Sequence, residues 1–167
     1  MGSISVIYRP IGIIHSEHVV PEETPIQTIY AKECKGTAEI FPEYVEGLND
    51  IDGFSHLYLI YHFHRAGFMK LVVKPFLQDI ERGVFSTRSP WRPNAIGISI
   101  VELICREGNN LHLKNVDILD QTPLLDIKPY TAKFDHFETS CDGWQDEVSD
   151  EETRKRGRRN YRGGGTL

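Results

Sequence analysis

Disulfides, long apolar runs and the common nucleotide-binding signatures are all missing from this chain. It has three cysteines in 167 residues: Cys34, Cys105 and Cys141. They are odd in number, far apart and without metal-ligand spacing, so free thiols in a reducing compartment are expected. Cys105, set among apolar residues, is expected to pack in a strand. No apolar run approaches the roughly 20 residues of a membrane helix. The start, MGSISVIYRPIG, is broken by Arg9 and Pro10 and lacks signal-peptide build. A cytoplasmic protein with no membrane partner is therefore expected. There is no GxGxxG, no GxxxxGK[ST] and no hydrolase nucleophile elbow, which removes the usual dinucleotide, P-loop and serine-hydrolase readings. Basic residues do not predominate either: 19 against 24 acidic, a net charge of -5. That argues against a globally basic nucleic-acid binder but leaves room for a local basic patch.

What remains is ordinary globular composition, 40% hydrophobic and 26% charged, in a length that suits one domain and a tail. Residues 8–15 read as a strand, followed by a loop rich in proline and glutamate. Residues 34–40 read as another strand, and 41–48 as one or two helical turns opened by Pro42 and stopped by Gly47. Residues 55–64, SHLYLIYHFH, form the strongest strand pattern. They are apolar on both alternating sets, as in the middle of a sheet or barrel wall. Residues 70–76 are extended. Residues 96–106 and 111–119 flank Gly108-Asn109-Asn110, a hairpin signature. A further extended run ends at Pro129.

Beyond Asp135 aliphatic residues nearly vanish. An acidic run gives way to Arg154, Lys155, Arg156, Arg158, Arg159 and Arg162, then three glycines. The expected fold is all-β: a single small antiparallel β-barrel over residues 1–137, with short helical insertions. Residues 138–167 are expected to form a flexible charged tail. The tail either holds RNA phosphates or acts as a solubilising end with self-neutralising charge blocks.

Three constellations could carry chemistry. The first is the run GVFSTRSPWRPNAIGIS, residues 83–99. Pro90 and Pro93 stiffen it against helix or ladder pairing, and Arg88 and Arg92 offer two guanidinium groups to an anionic or planar ligand. The second is His56, His62 and His64, whose even spacing puts them on one face of a strand. His62-x-His64 can present two metal ligands, or the set can line a barrel mouth. The further ligand would have to come from elsewhere in the chain, and no metal is expected. The third is Asp117, Asp120 and Asp126, near the ends of extended segments. Each can bind ribose hydroxyls, accept a proton or cap a turn.

These stretches resemble the TrmO family, also called TsaA-like or YaeB-like. Residues 83–97 match its run G-V-F-[AS]-T-R-S-P-x-R-P-N-x-I-G, with Trp91 and Ala95 at variable places. Residues 117–130 match D-x-x-D-x-T-P-x-x-D-I-K-P-Y. Residues 53–57 match G-F-S-H-L, and 10–16 match P-I-G-x-I-x-S. The resemblance spans roughly residues 8–134. It implies a barrel that binds S-adenosyl-L-methionine without a Rossmann fold, homodimers with pockets near the subunit interface, and a tRNA substrate. The implied activity is methylation of N6 of threonylcarbamoyl-adenosine beside the anticodon. The alternatives are a small-molecule methyltransferase and a non-catalytic cofactor-binding module. By motif, the cofactor residues would be Pro25, Ile26, Gln27, His64, Arg65, Arg88, Ile98, Ile118, Leu119 and Asp120. Ile26 stands where the family has arginine, and Arg65 where it has glutamine. Asp126 or Tyr130 would take the substrate proton, and Lys128 would neutralise a substrate carboxylate.

Overall fold

The computed structural model describes residues 5–157. Six antiparallel strands close into a barrel: β1 (Gly12–Ser16), β2 (Lys35–Ile40), β3 (His56–His62), β6 (Ile96–Glu107), β7 (Asn110–Lys114) and β8 (Thr122–Pro129). Their order around the wall is β1-β2-β7-β6-β3-β8, with β8 pairing back on β1. Closure leaves none of the six as an open edge. A two-stranded ribbon, β4 (Val72–Val73) with β5 (Arg82–Gly83), stands beside it. Two short helices follow, α1 (Ala132–Asp135) and α2 (Asp150–Gly157).

Alternation explains the wall. In β3, Leu57, Leu59 and Tyr61 are buried, while His56, Tyr58, Ile60 and His62 face outward. Leu57 pairs with Val101, and Leu59 with Ser99. Ile14, Ala38, Leu111, Leu113 and Leu124 complete the interior from the other strands. The strand apolar on both sets is indeed central, flanked by β6 and β8. Its outer side-chain set remains partly exposed.

Several boundaries differ from the sequence reading, each for a local reason. β1 begins at Gly12 rather than at residue 8, because Pro10 has no N–H to give a ladder. β7 ends at Lys114 because Asn115 turns left-handed at φ 62°. Of residues 70–76 only Val72–Val73 pair. Residues 42–48 form a 3-10 segment. Gly108, at φ 63°, supplies the positive φ that the β6–β7 hairpin requires. β3 stops at His62, so His64 leaves the face shared by His56 and His62.

The expected tail is described as far as Gly157. Trp144 Nε1 donates to the Ser86 carbonyl at 2.8 Å, and Arg82 Nη2 meets Glu147 Oε2 at 3.0 Å. Arg156 reaches both oxygens of Asp79, at 3.2 and 3.0 Å, and also bonds Glu152. The Ile26 N–H donates to the Gly157 carbonyl at 3.2 Å. Residues 138–157 thus lean on the loops around Asp79–Ser86 and Ile26. The Arg/Gly run from Arg158 onward lies outside the described residues.

Cys105, expected to pack, is exposed, as is Cys141, whereas Cys34 is buried. A bulge between Leu103 and Cys105 in the β6–β7 register turns Cys105 outward. A thiol reagent should therefore titrate two cysteines rapidly in the native protein and the third only on unfolding. Three fast thiols would contradict the burial of Cys34.

Candidate active site

The antiparallel order gathers one set of loops at one mouth of the barrel. β1, β3 and β7 end there, and β2, β6 and β8 begin there. Between these ends lie residues 17–34, the segment after His62, the approach to Ile96, and residues 115–121. Together they enclose a cavity of about 180 Å³ that opens to solvent. Concave, largely apolar sites of this kind are where small molecules and cofactors bind.

Its walls are apolar where Phe63, Pro90, Ile96, Ile98, Ile118 and Leu119 line it. Pro25, Ile26, Gln27, His64, Arg65 and Arg88 line it as well. The structure therefore brings together nine of the ten residues expected to bind cofactor, from four separate stretches of chain. Asp120 is the exception. Its Oδ1 accepts from the Ser16 N–H at 3.0 Å, and its own N–H donates to the His18 carbonyl at 2.7 Å. It braces the 117–122 turn against β1.

The Arg/Pro loop divides its two guanidinium groups. Arg88 is exposed and lines the cavity. Arg92 also reaches the cavity lining, but its Nη1 donates to the carbonyls of Thr87 and Ser89, at 3.2 and 3.5 Å, which holds the loop. Trp91 is occupied by Lys70, whose Nζ lies 4.0 Å from the ring centroid.

At the cavity a polar chain runs inward. The Tyr61 hydroxyl and Ser99 Oγ are 3.0 Å apart, and Ser99 Oγ–H donates to Asp117 Oδ1 at 2.6 Å. Because Ser99 spends its proton on the carboxylate, Tyr61 is the donor to Ser99. Burial pushes the Asp117 carboxyl up to about 6, against the pull of Ser99, Thr28 and Arg88. Burial, and then the Asp117 charge, also raise Tyr61, which stays a phenol.

His64 is shifted downward by burial, by Arg65 and by His62. Thr122 Oγ1 donates to the Leu119 carbonyl at 2.6 Å, so in the 3.3 Å contact with Thr122 it is His64 Nδ1–H that donates. A neutral imidazole in this tautomer keeps a lone pair on Nε2 for a ligand N–H or O–H.

Gly97 lets this arrangement exist. A Cβ there would sit 2.3 Å from Tyr61 Cε2 and 2.8 Å from Phe63 Cζ. Tyr61, Phe63, Ser99, Thr122 and Gly97 were not among the expected site residues. Asp117 is a candidate carboxylate in the sequence, and the structure puts it in the cavity lining. The one hint was Gly97-Ile98-Ser99, small residues alternating inside an otherwise bulky strand.

The three residues expected to act on substrate are elsewhere. Asp126, Lys128 and Tyr130 do not line the cavity. Asp126 and Lys128 pair by register with Ile60 and Tyr58 on the outer face, and their side chains form an ion pair at 2.9 Å. Tyr130 packs edge-on against Tyr58 and His56.

The profile of the tRNA-methyltransferase O N-terminal domain matches residues 13–136, most of the barrel and both motif blocks. The chain belongs to the TrmO family. A crystal structure of TrmO superposes on this domain with a TM-score of 0.72 at 37% identity, covering 84% of this chain and 64% of that one. The crystal structure of TrmO from Pseudomonas aeruginosa gives 0.73 at 35%, covering 87% and 63%. A probable S-adenosyl-L-methionine-binding protein of Pyrococcus abyssi is 56% identical over 141 residues, 84% of this chain and 77% of that protein. A tRNA (adenine(37)-N6)-methyltransferase of Mus musculus is 38% identical over 138 residues, 78% of this chain but 32% of the mouse protein. The TrmO domain here thus spans about a third of that relative and under two-thirds of the two crystallised TrmO chains. Among the described residues, no helix is long and apolar enough to cross a membrane.

Proposed function

We propose that this TrmO domain binds S-adenosyl-L-methionine in the barrel-mouth cavity and methylates N6 of adenine-37 in tRNA, as a cytoplasmic enzyme. The base we favour is threonylcarbamoyl-adenosine. The observation that carries the reading is the convergence of Pro25–Gln27, His64, Arg65, Arg88, Ile118 and Leu119 on one apolar cavity bearing a half-hidden carboxylate.

The residues fit the cofactor. Ile96, Ile98, Ile118 and Phe63 offer faces for a planar base. Arg88 can meet a carboxylate in bidentate fashion. The Asp117 carboxyl, held up by burial, gains from a cation beside it. Bound cofactor supplies an electrophilic methyl on a sulfonium. The protein's share is then positioning and exclusion of water. His64 orients a ligand donor through Nε2.

The base N6–H, flanked by a carbonyl, is more acidic than in plain adenine. Asp126 or Tyr130 accepts that proton, and Lys128 neutralises the substrate carboxylate. Since these residues sit on the outer face, the reading includes a homodimer in which that face meets a second copy. Ile100, 37% exposed and paired by register with Tyr58 of that face, is apolar surface available to it.

The decisive test is nucleoside mass spectrometry of tRNA from cells with and without the protein. The expected result is methylated threonylcarbamoyl-adenosine only when it is present. In purified form, Asp126→Asn should lower methyl transfer at least tenfold at unchanged cofactor affinity, as loss of a general base does. Wild-type rates would remove Asp126 from the reaction. Cofactor binding without any tRNA mark would favour the binding-module reading, which the Pyrococcus relative's name also suits.

A further inference from the structure

A second cluster lies near the cavity and outside the proposed chemistry. Glu17 and His18 follow β1, and Cys34 precedes β2. One ligand atom from each lies within 4.8 Å of the other two. Their positions in sequence give no metal-ligand motif. The closure of β1 against β2 brings them together, with Ser16 paired to Gly36 at the ladder's end.

Two of the three are fixed to the same residue. His18 Nε2 lies 2.8 Å from the Val116 carbonyl, and the Val116 N–H donates to the Cys34 carbonyl at 3.1 Å. A carbonyl can only accept, so Nε2 carries the proton. In the neutral ring the lone pair is then on Nδ1. This is the outer-sphere arrangement of a metal-binding histidine, whose second nitrogen donates to a carbonyl. Further bonds hold the backbone: Cys34 N–H to the Ala31 carbonyl at 3.0 Å, and Asp120 N–H to the His18 carbonyl at 2.7 Å. His18 and Cys34 are 3% and 2% exposed, while Glu17 is on the solvent side.

We propose that Glu17, His18 and Cys34 form a binding site for a divalent metal of the zinc class, stapling the 17–34 loop to Val116 beside the cavity. A thiolate, an imidazole and a carboxylate are the donor set zinc prefers among biological divalent ions, and the two anionic ligands balance its charge. Binding releases the Cys34 thiol proton to solvent. The fourth position is left to water. The metal's work is structural: the loop it fixes carries Pro21–Gln27, one wall of the cavity, and Val116 adjoins Asp117.

The test uses the full, reduced chain, stripped with chelator and titrated with cobalt(II), then with zinc. The expected result is a thiolate-to-cobalt charge-transfer band that saturates at one equivalent and is bleached by zinc. Cys34→Ser should abolish the band. Glu17→Gln, at an exposed position that leaves the fold intact, should weaken cobalt binding at least tenfold.

The other described cluster of this kind, Cys105, Glu107 and His112, is on the outer face and serves as the control. Cys105→Ser should leave the band unchanged. No band up to millimolar cobalt would mean only a thiol–imidazole contact and would overturn the site. So would a band that survives Cys34→Ser, or Glu17→Gln with wild-type affinity. If Cys34→Ser fails to fold, the Glu17→Gln and Cys105→Ser titrations still decide the question.

Discussion

Gly97→Ala should lower the stability of the barrel by about 2 kcal/mol and weaken cofactor binding by about a hundredfold. One methyl group does this because of where it points. The added carbon would lie 2.3 and 2.6 Å from two atoms of the Tyr61 ring and 2.8 Å from Phe63. Neither ring can yield easily. They already pack edge to face with centroids 5.4 Å apart. Tyr61 is buried, and its hydroxyl is tied to Ser99. Moving it breaks the polar chain to Asp117 and narrows the cavity from the β6 side. Calorimetry should show the transition falling by about 4–8 °C for a chain of this size. Gly53→Ala, where nothing lies within 4 Å of the new carbon, is the matched control and should change little. If both variants behave alike, Gly97 is not the contact point we describe.

Asp117→Asn should stabilise the cofactor-free protein at pH 8 by about 3 kcal/mol, an order-of-magnitude figure from the size of the shift. The sign follows from the direction of that shift. The carboxyl titrates near 6 in the folded chain against 3.8 ordinarily. Between about pH 4 and 6 the folded state binds more protons than the unfolded one, so stability declines as pH rises through that window and is level above it. Asparagine keeps an oxygen for the Ser99 hydroxyl and removes the ionisation. Denaturant melts at pH 4 and pH 7.5 should therefore differ less in the variant than in the wild type. On the proposed function the price appears in binding. Affinity for the cationic cofactor should rise as the wild type passes pH 6, and the variant should show neither that rise nor the final affinity. Identical pH profiles would place the ionisation elsewhere.

Much of this was legible in the sequence, where periodicity and rigid residues carry the signal. A β-prone run apolar on both alternating sets marked β3, and the Gly108–Asn109 turn marked the hairpin. Pro90 and Pro93 marked a loop that could only be irregular. The residues carried over from the family resemblance include nine that line the cavity. The remainder depends on neighbours across the barrel. Tyr61, Ser99 and Asp117 come from three strands or turns, and nothing local to each foretells a hydrogen-bonded chain. Asp120 looked as suited to ligand binding as Asp117, and only the closure of β1 on β8 separates a brace from a lining group. His64 read as a strand residue because the pattern ran past the point where pairing stops. Cys105 reads as a packing residue from its apolar neighbours, and only the bulge between Leu103 and Cys105 turns it to water.

The last described stretch makes a round trip. The chain leaves the barrel at the mouth remote from the cavity, where Pro129 pairs with Leu57, and Gly157 is back against Ile26 and Tyr30 at the cavity wall. One hydrogen bond and one ring contact thus join the end of α2 to the cavity wall, so a ligand that shifts the wall at Ile26 also loads α2.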